Sequence, residues 1–234
     1  MDERAGRAHP GGIGGTVKLL LATRSVDKAR EIAGILADAW PGAPRIVTLE
    51  EAGVPWTEAE EGLEPFDTFE ENAASKARYF AGLTGMPTVA DDSGLEVDAL
   101  GGRPGVRTRR FAPPGRYPGL DQDEANNRHL LERLDGVRPA RRGARYVCVA
   151  CLVVPSSGTS VHFRGEAPGR IRSRPRGSGG FGYDPIFEDH RTVRSYAELS
   201  ADEKNERSHR GKAFRALAEH LALTPPTLGG DGEA

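Results

Sequence analysis

Arg145-Tyr-Val-Cys-Val-Ala-Cys-Leu-Val-Val154, followed by Pro155-Ser-Ser-Gly158, is the stretch that decides the fold. The run is β-branched and apolar, and reads as a buried strand. The Pro-Ser-Ser-Gly segment is a turn, and Thr159 to Glu166 reads as an antiparallel partner strand. Side chains alternate faces along a strand, so Cys148 and Cys151 should go to opposite sides of the sheet. Their Cys-x-x-Cys spacing invites a redox or zinc reading, but two buried structural thiols fit the apolar setting better.

Outward from this hairpin, strands alternate with helices. Val17 to Ala22 reads as a first strand, and Ser25 can cap a helix over 26–39 whose apolar face is Ile32, Ile35, Leu36 and Ala39. Arg45 to Leu49 reads as a second strand. Thr68-Phe-Glu-Glu71 is a capping box opening a helix to about Leu83. Pro87 to Asp91 and Leu95 to Leu100 read as strands around a turn at Ser93-Gly94. A long Gly/Pro/Arg loop covers 101–120, a helix spans 122–134, and a glycine-rich loop runs over 177–184. A second capping box, Ser200 with Glu203, precedes a C-terminal helix carrying Phe214, Leu217, Ala218 and Leu221 on one face. Interleaved helices with one antiparallel hairpin predict an α/β fold, a long mixed β-sheet flanked by helices. One domain is expected over 17–223, with disordered Gly/Pro-rich tails at 1–16 and 224–234.

Composition narrows the function classes. With 234 residues, 37% hydrophobic and 28% charged, the chain can bury a core. A net charge of −2 points to neither nucleic acid nor a membrane surface as partner. No apolar run approaches the roughly 20 residues that span a bilayer, and the charged start lacks a secretory signal, so a cytoplasmic location is expected.

Four segments carry chemistry. Thr23-Arg-Ser-Val-Asp-Lys28 leads into a helix N-terminus, whose free N–H groups suit a phosphate, with Lys28 one turn in. A capped helix with a solvated lysine is the bland alternative. Ala90-Asp-Asp-Ser-Gly94 places two carboxylates where a hard cation such as Mg²⁺ can bind, or else forms an Asp-rich turn. Gly177-Ser-Gly-Gly-Phe-Gly-Tyr-Asp184 allows close backbone approach to a ligand, with Phe181 and Tyr183 as stacking faces and Asp184 for a base edge. Otherwise its two aromatics return to the core. Lys204, Ser208, His209 and Arg210 cluster ahead of the apolar helix, as a site or as a solvated face. The arginines at 170, 172, 174 and 176 share parity and read as a solvated stripe on one strand face. There is no Walker-type loop and no Ser-His-Asp order.

Taken in order, these segments resemble the inosine triphosphate pyrophosphatase family, also called the Ham1 or dITP/XTP diphosphatase family. Thr68-Phe-Glu-Glu-Asn-Ala73 with Lys76, Leu100-Gly-Gly-x-Pro-Gly105, Gly179-Gly-Phe-Gly-Tyr-Asp-Pro185 and Ser208-His-Arg-Gly211 carry the likeness, which runs from Lys18 to Leu221. The resemblance implies two lobes around a central cleft, a homodimer, and Mg²⁺-dependent cleavage of deaminated purine nucleoside triphosphates to monophosphate and pyrophosphate. It implies Asp92 as general base and metal contact. Thr23, Arg24, Ser25, Lys28 and Lys76 would hold phosphates, and Ser93, Phe181, Gly182, Tyr183, Asp184, Lys204, His209 and Arg210 would contact substrate. Ser25 stands where the family has Asn. The acidic stretch Glu58-Ala-Glu-Glu-Gly-Leu-Glu64 is longer than the family's, so Glu60, Glu61 and Glu64 compete as the metal-side acid, with Glu60 and Glu61 preferred. A pyrophosphatase for modified pyrimidine triphosphates and a catalytically silent nucleotide binder are the alternatives.

Overall fold

The computed structural model describes residues 18–40 and 45–224. The tails expected at 1–16 and 224–234 lie outside these residues, Thr224 excepted. The elements in chain order are β1 (Lys18–Leu21), α1 (Val26–Ala39), β2 (Arg45–Thr48), α2 (Phe69–Thr84), β3 (Thr88–Val97), β4 (Pro104–Gly105), α3 (Gln122–Arg133), β5 (Gly143–Val154), β6 (Thr159–Ile171), β7 (Phe187–Asp189), α4 (Ala201–Arg207) and α5 (His209–Leu223). They form a seven-stranded sheet in the order β2-β1-β3-β5-β6-β7, with β4 beside β3. β2, β1 and β3 run parallel, whereas β3, β5, β6 and β7 pair antiparallel. The sheet is therefore mixed and flanked by helices, as the sequence predicts.

The hairpin explains the burial of β5. One sheet face packs Cys148, Ala150 and Leu152 with Ile32, Ile35 and Leu36 of α1 and Phe214 and Leu217 of α5. The opposite face packs Val147, Val149 and Cys151 with Phe69, Ala73, Ala77 and Phe80 of α2. The two thiols are free, buried and on opposite faces. A third cluster, built on Leu95, Tyr146, Phe187 and Tyr196 with Leu130 and Leu134 near α3, fills the far half of the sheet.

The turn expected at Ser93-Gly94 does not form. β3 instead runs unbroken from Thr88 to Val97 and pairs with β5 along its whole length. Gly94 is there for close approach, not for bending: a Cβ would lie 2.3 Å from the Gly105 carbonyl oxygen and 2.9 Å from the Phe69 ring. Gly165 of β6 does the same for α5, since a Cβ there would lie 2.1 Å from the His209 carbonyl oxygen. The arginines expected as a stripe on one strand face are not all on a strand, because β6 ends at Ile171. Arg170, Arg174 and Arg176 are solvent-exposed as expected, while Arg172 is half-buried, and Arg170 and Arg172 both pair with the buried Glu188.

One edge of β3 positions the site. β1 covers only Thr88 and Val89 on that edge, and β4 covers Leu95 and Glu96. Ala90 to Gly94 lie in the gap between them. Backbone groups left without a ladder need other partners, and the Asp91 carbonyl accepts from Lys76 Nζ at 2.5 Å.

Candidate active site

A cleft of about 550 Å³ opens over this gap, and every site residue expected from the sequence lines it. A second hollow, of about 590 Å³ beside Gly101 to Arg107, contains none of them.

The near wall is the loop into α1. Ser25 caps the helix, accepting from Lys28 N at 3.3 Å, while its own N–H donates to Thr23 Oγ1 at 3.2 Å. Lys28 Nζ lies 3.0 Å from Asp91 Oδ2. Lys76, one face of α2 along, pairs with Glu64. Arg24 pairs not outward but with Glu60, at 2.6 Å. The far wall carries Phe181, half-buried, with Lys204 Nζ 4.7 Å from its ring centroid. Tyr183 follows the alternative reading of its loop: its ring is buried in the far core, and its hydroxyl donates to the Thr108 carbonyl at 2.8 Å.

Asp91 and Asp92 point to opposite faces of β3 and do different work. Asp91 faces α1 and α5, where its Oδ2 also accepts from Ser93 Oγ at 3.2 Å and faces Arg210 at 3.8 Å. Burial would raise its carboxyl, but Lys28, Arg210 and Lys76 outweigh that and hold it well below the carboxylate range. Asp92 lines the cleft, accepting from Asn72 Nδ2 at 3.0 Å and from Ser93 N at 2.9 Å. It makes no ion pair among the described residues. Burial raises its carboxyl, Lys76 and Lys28 counteract only partly, and Glu64 pushes it further up. A carboxylate raised by burial and facing a cleft is a fitting proton acceptor.

The positive groups are already balanced inside the protein. Lys204 Nζ sits 2.6 Å from Glu31 and 2.5 Å from Asp184, and Arg210 Nη1 lies 2.5 Å from Glu31 Oε2. Burial alone would raise Glu31, but Arg210 and Lys204 outweigh it and keep it ionised. Lys28, Asp91, Arg210, Glu31, Lys204 and Asp184 thus form one run of alternating charge linking the two walls. His209 stacks on Tyr146 with 4.6 Å between ring centroids, and burial with Arg210 and Lys204 nearby keeps it neutral. The Asp184 carboxylate also takes Phe181 N, so it braces its own loop.

Sequence reasoning missed Glu31, Arg109 and Arg110. Glu31 had only its place one turn beyond Lys28 to mark it. Arg109 and Arg110 line the cleft, and their side chains have no partner among the described residues. Their backbone is fixed: Asn126 Nδ2 donates to the Arg109 carbonyl at 3.0 Å, and Asn126 Oδ1 accepts from Ala112 N at 2.8 Å.

Three acids reach the cleft from the acidic stretch. Both Glu60 oxygens are engaged by Arg24. Glu61 has no partner among the described residues, and Glu64 is the one whose charge acts on Asp92. No ready-made cluster of three metal-binding side chains occurs among the described residues. Nor does any described helix have the length and apolarity to cross a membrane.

Comparison with known proteins agrees with this architecture. The Ham1 family profile matches residues 19–220. The dITP/XTP pyrophosphatase of Frankia alni is 47% identical over 207 residues, covering 88% of this chain and 97% of that protein. The dITP/XTP pyrophosphatase of Streptomyces coelicolor is 44% identical over 208 residues, with 86% and 94% covered. A HAM1 protein structure from Coxiella burnetii superposes with a TM-score of 0.75 at 35% identity, covering 89% of this chain and all of that one. A nucleoside-triphosphatase / dITP/XTP pyrophosphatase structure from Mycobacterium abscessus gives 0.65 at 41% identity and the same coverage of this chain. With a cleft that gathers every expected residue and a family match across nearly the whole chain, this protein belongs to the Ham1 family.

Proposed function

We propose that this cleft hydrolyses deaminated purine nucleoside triphosphates, such as dITP and XTP, to monophosphate and pyrophosphate. The observation that carries the reading is Asp92. It is a burial-raised carboxylate without an ion pair, set between the cations Lys28 and Lys76 on one wall and Phe181 on the other. Asp92 takes a proton from the water that attacks the α-phosphorus. Lys28 and Lys76 face the charge that grows on the leaving pyrophosphate, and the N-terminus of α1 adds its free amides. Arg109 and Arg110, without a side-chain partner among the described residues, bring positive charge to the cleft.

The donor set fits a hard divalent ion, which is usually held by one or two carboxylates together with substrate phosphates. Asp92 and Glu64 would hold magnesium, with Glu61 in reach of the same loop; Glu60 is engaged by Arg24. When bound, the ion would neutralise phosphate charge and lower the pKa of water. A pair of such chains forming a homodimer belongs to the same reading.

The products test the bond that breaks. Incubation of dITP with the protein and Mg²⁺, followed by ³¹P NMR, should show pyrophosphate and monophosphate with no diphosphate. A diphosphate product would mean γ-cleavage and end this mechanism.

Base choice is the second test. Neutral His209 and charged Arg210 put donors on the far wall, which suits the 6-keto oxygen of hypoxanthine and xanthine. Adenine presents a 6-amino donor instead, and an unmatched buried polar group costs about 1–3 kcal/mol, or roughly tenfold and upward in rate. The kcat/KM for dITP and XTP should exceed that for ATP by at least about tenfold. Equal values would leave a general triphosphate pyrophosphatase in its place.

A further inference from the structure

Of the two cations of the phosphate loop, Lys28 reaches Asp91 beside β3, whereas Arg24 reaches the acidic loop. Its guanidinium grips Glu60 in a fork, Nε to Oε2 at 3.0 Å and Nη2 to Oε1 at 2.6 Å. The same group donates to the Val54 carbonyl at 3.0 Å and the Pro55 carbonyl at 3.1 Å. It lies 5.9 Å from the Phe80 ring centroid of α2. Glu60 in turn closes a capping box, with Oε1 accepting from Thr57 N at 3.3 Å. A lone exposed ion pair contributes little. A bidentate fork that also holds two carbonyls is different, because one planar group fixes several points of a loop at once.

This contact holds the entry and the middle of the acidic stretch. Residues 54 and 55 enter it, Glu60 sits in its middle, and Glu61, Leu63 and Glu64 follow into the cleft. Beyond Arg24 and the Thr57 hydroxyl, 3.3 Å from the Tyr79 hydroxyl, few side-chain bonds hold residues 54–61 to the rest of the protein.

We propose that Arg24 is a positioning residue that clamps the acidic loop to the phosphate loop through Glu60, and that it binds no phosphate itself. The two loops then act as one, and Glu64 is held facing Asp92. A phosphate ligand at this position needs no acidic partner, whereas a clamp needs Glu60 as much as it needs Arg24.

The experiment compares Arg24→Gln, Arg24→Lys, Glu60→Gln and the double variant Arg24→Gln/Glu60→Gln, each checked for folding by thermal melting. Hydrogen exchange of residues 54–64 is followed in protein free of metal and nucleotide. Exchange there should quicken about tenfold or more in each single variant, because local opening loses a charge-assisted bond. The double variant should be no faster than Arg24→Gln, since both changes remove one contact. The lysine should not rescue. The activity arm rests on the triphosphate reading: KM for dITP should rise in Glu60→Gln as it does in Arg24→Gln. Unchanged exchange in Glu60→Gln, or rescue of KM by lysine with Glu60→Gln like the parent, overturns the clamp. If no variant and no parent turns over a triphosphate, the functional reading fails while the exchange data still decide this one.

Discussion

Asp92→Asn is expected to abolish turnover while leaving the protein folded. Loss of a general base costs about 10²–10⁴-fold, and loss of a metal-side carboxylate deepens it. The fold should survive because two effects on it oppose each other. Asn72 Nδ2 and Ser93 N both donate to Asp92, and Asn72 cannot turn its amide because it also bonds the Phe66 backbone on both sides. An asparagine at 92 would therefore meet one donor with another, at about 1–3 kcal/mol. Against this, the folded carboxyl titrates above its unfolded value, so ionising it as pH rises weakens the fold. An uncharged side chain removes that cost. The measurement is kcat on dITP beside a thermal melt. Activity within a few-fold of the parent would sink the assignment of the base. In the parent the acid limb of kcat/KM should lie above the pH of a free carboxylate, about 4, because the base is raised.

Asp91→Asn should have the opposite profile, a large loss of stability whatever happens to turnover. Asp91 is buried and faces Lys28, Arg210, Ser93 and Cys148. Removing one partner of a buried pair costs about 3–5 kcal/mol, a large share of the roughly 5–15 kcal/mol that a domain has in all. The sign with pH follows from its lowered carboxyl. Its contribution is complete above the unfolded value of about 3.9 and fades as acid approaches the lower folded value. Urea denaturation at pH 7 should show the full difference between parent and variant, narrowing below about pH 4. A difference under about 1 kcal/mol at pH 7 would mean that Asp91 is not the anchor described above.

Much of the frame was legible because its signals are local. Ser25 and Thr68 are caps within reach of their own helices, and α1 begins and ends where they and the apolar spacing say. The parity of Cys148 and Cys151 is a property of any strand. What failed depended on distant neighbours. Ser93-Gly94 has the composition of a turn, and only the Gly105 carbonyl and the Phe69 ring, brought in by the fold, turn it into straight strand. The site residues were legible as a set but not in their roles. Nothing near Arg24 in the sequence announces that Glu60 lies against it, and nothing in the helix pattern around Glu31 says that Lys204 and Arg210, 173 and 179 residues on, will close over it.

The run from Lys28 through Asp91, Arg210, Glu31 and Lys204 to Asp184 holds three positive and three negative groups, so it is neutral as a unit. Its grammar is one of pairs. A single replacement at Lys204 or Arg210, made to widen the range of bases accepted, strands an odd charge in a buried row. Any redesign of base preference through this wall therefore has to change two letters together, or accept a less stable protein as the cost of one.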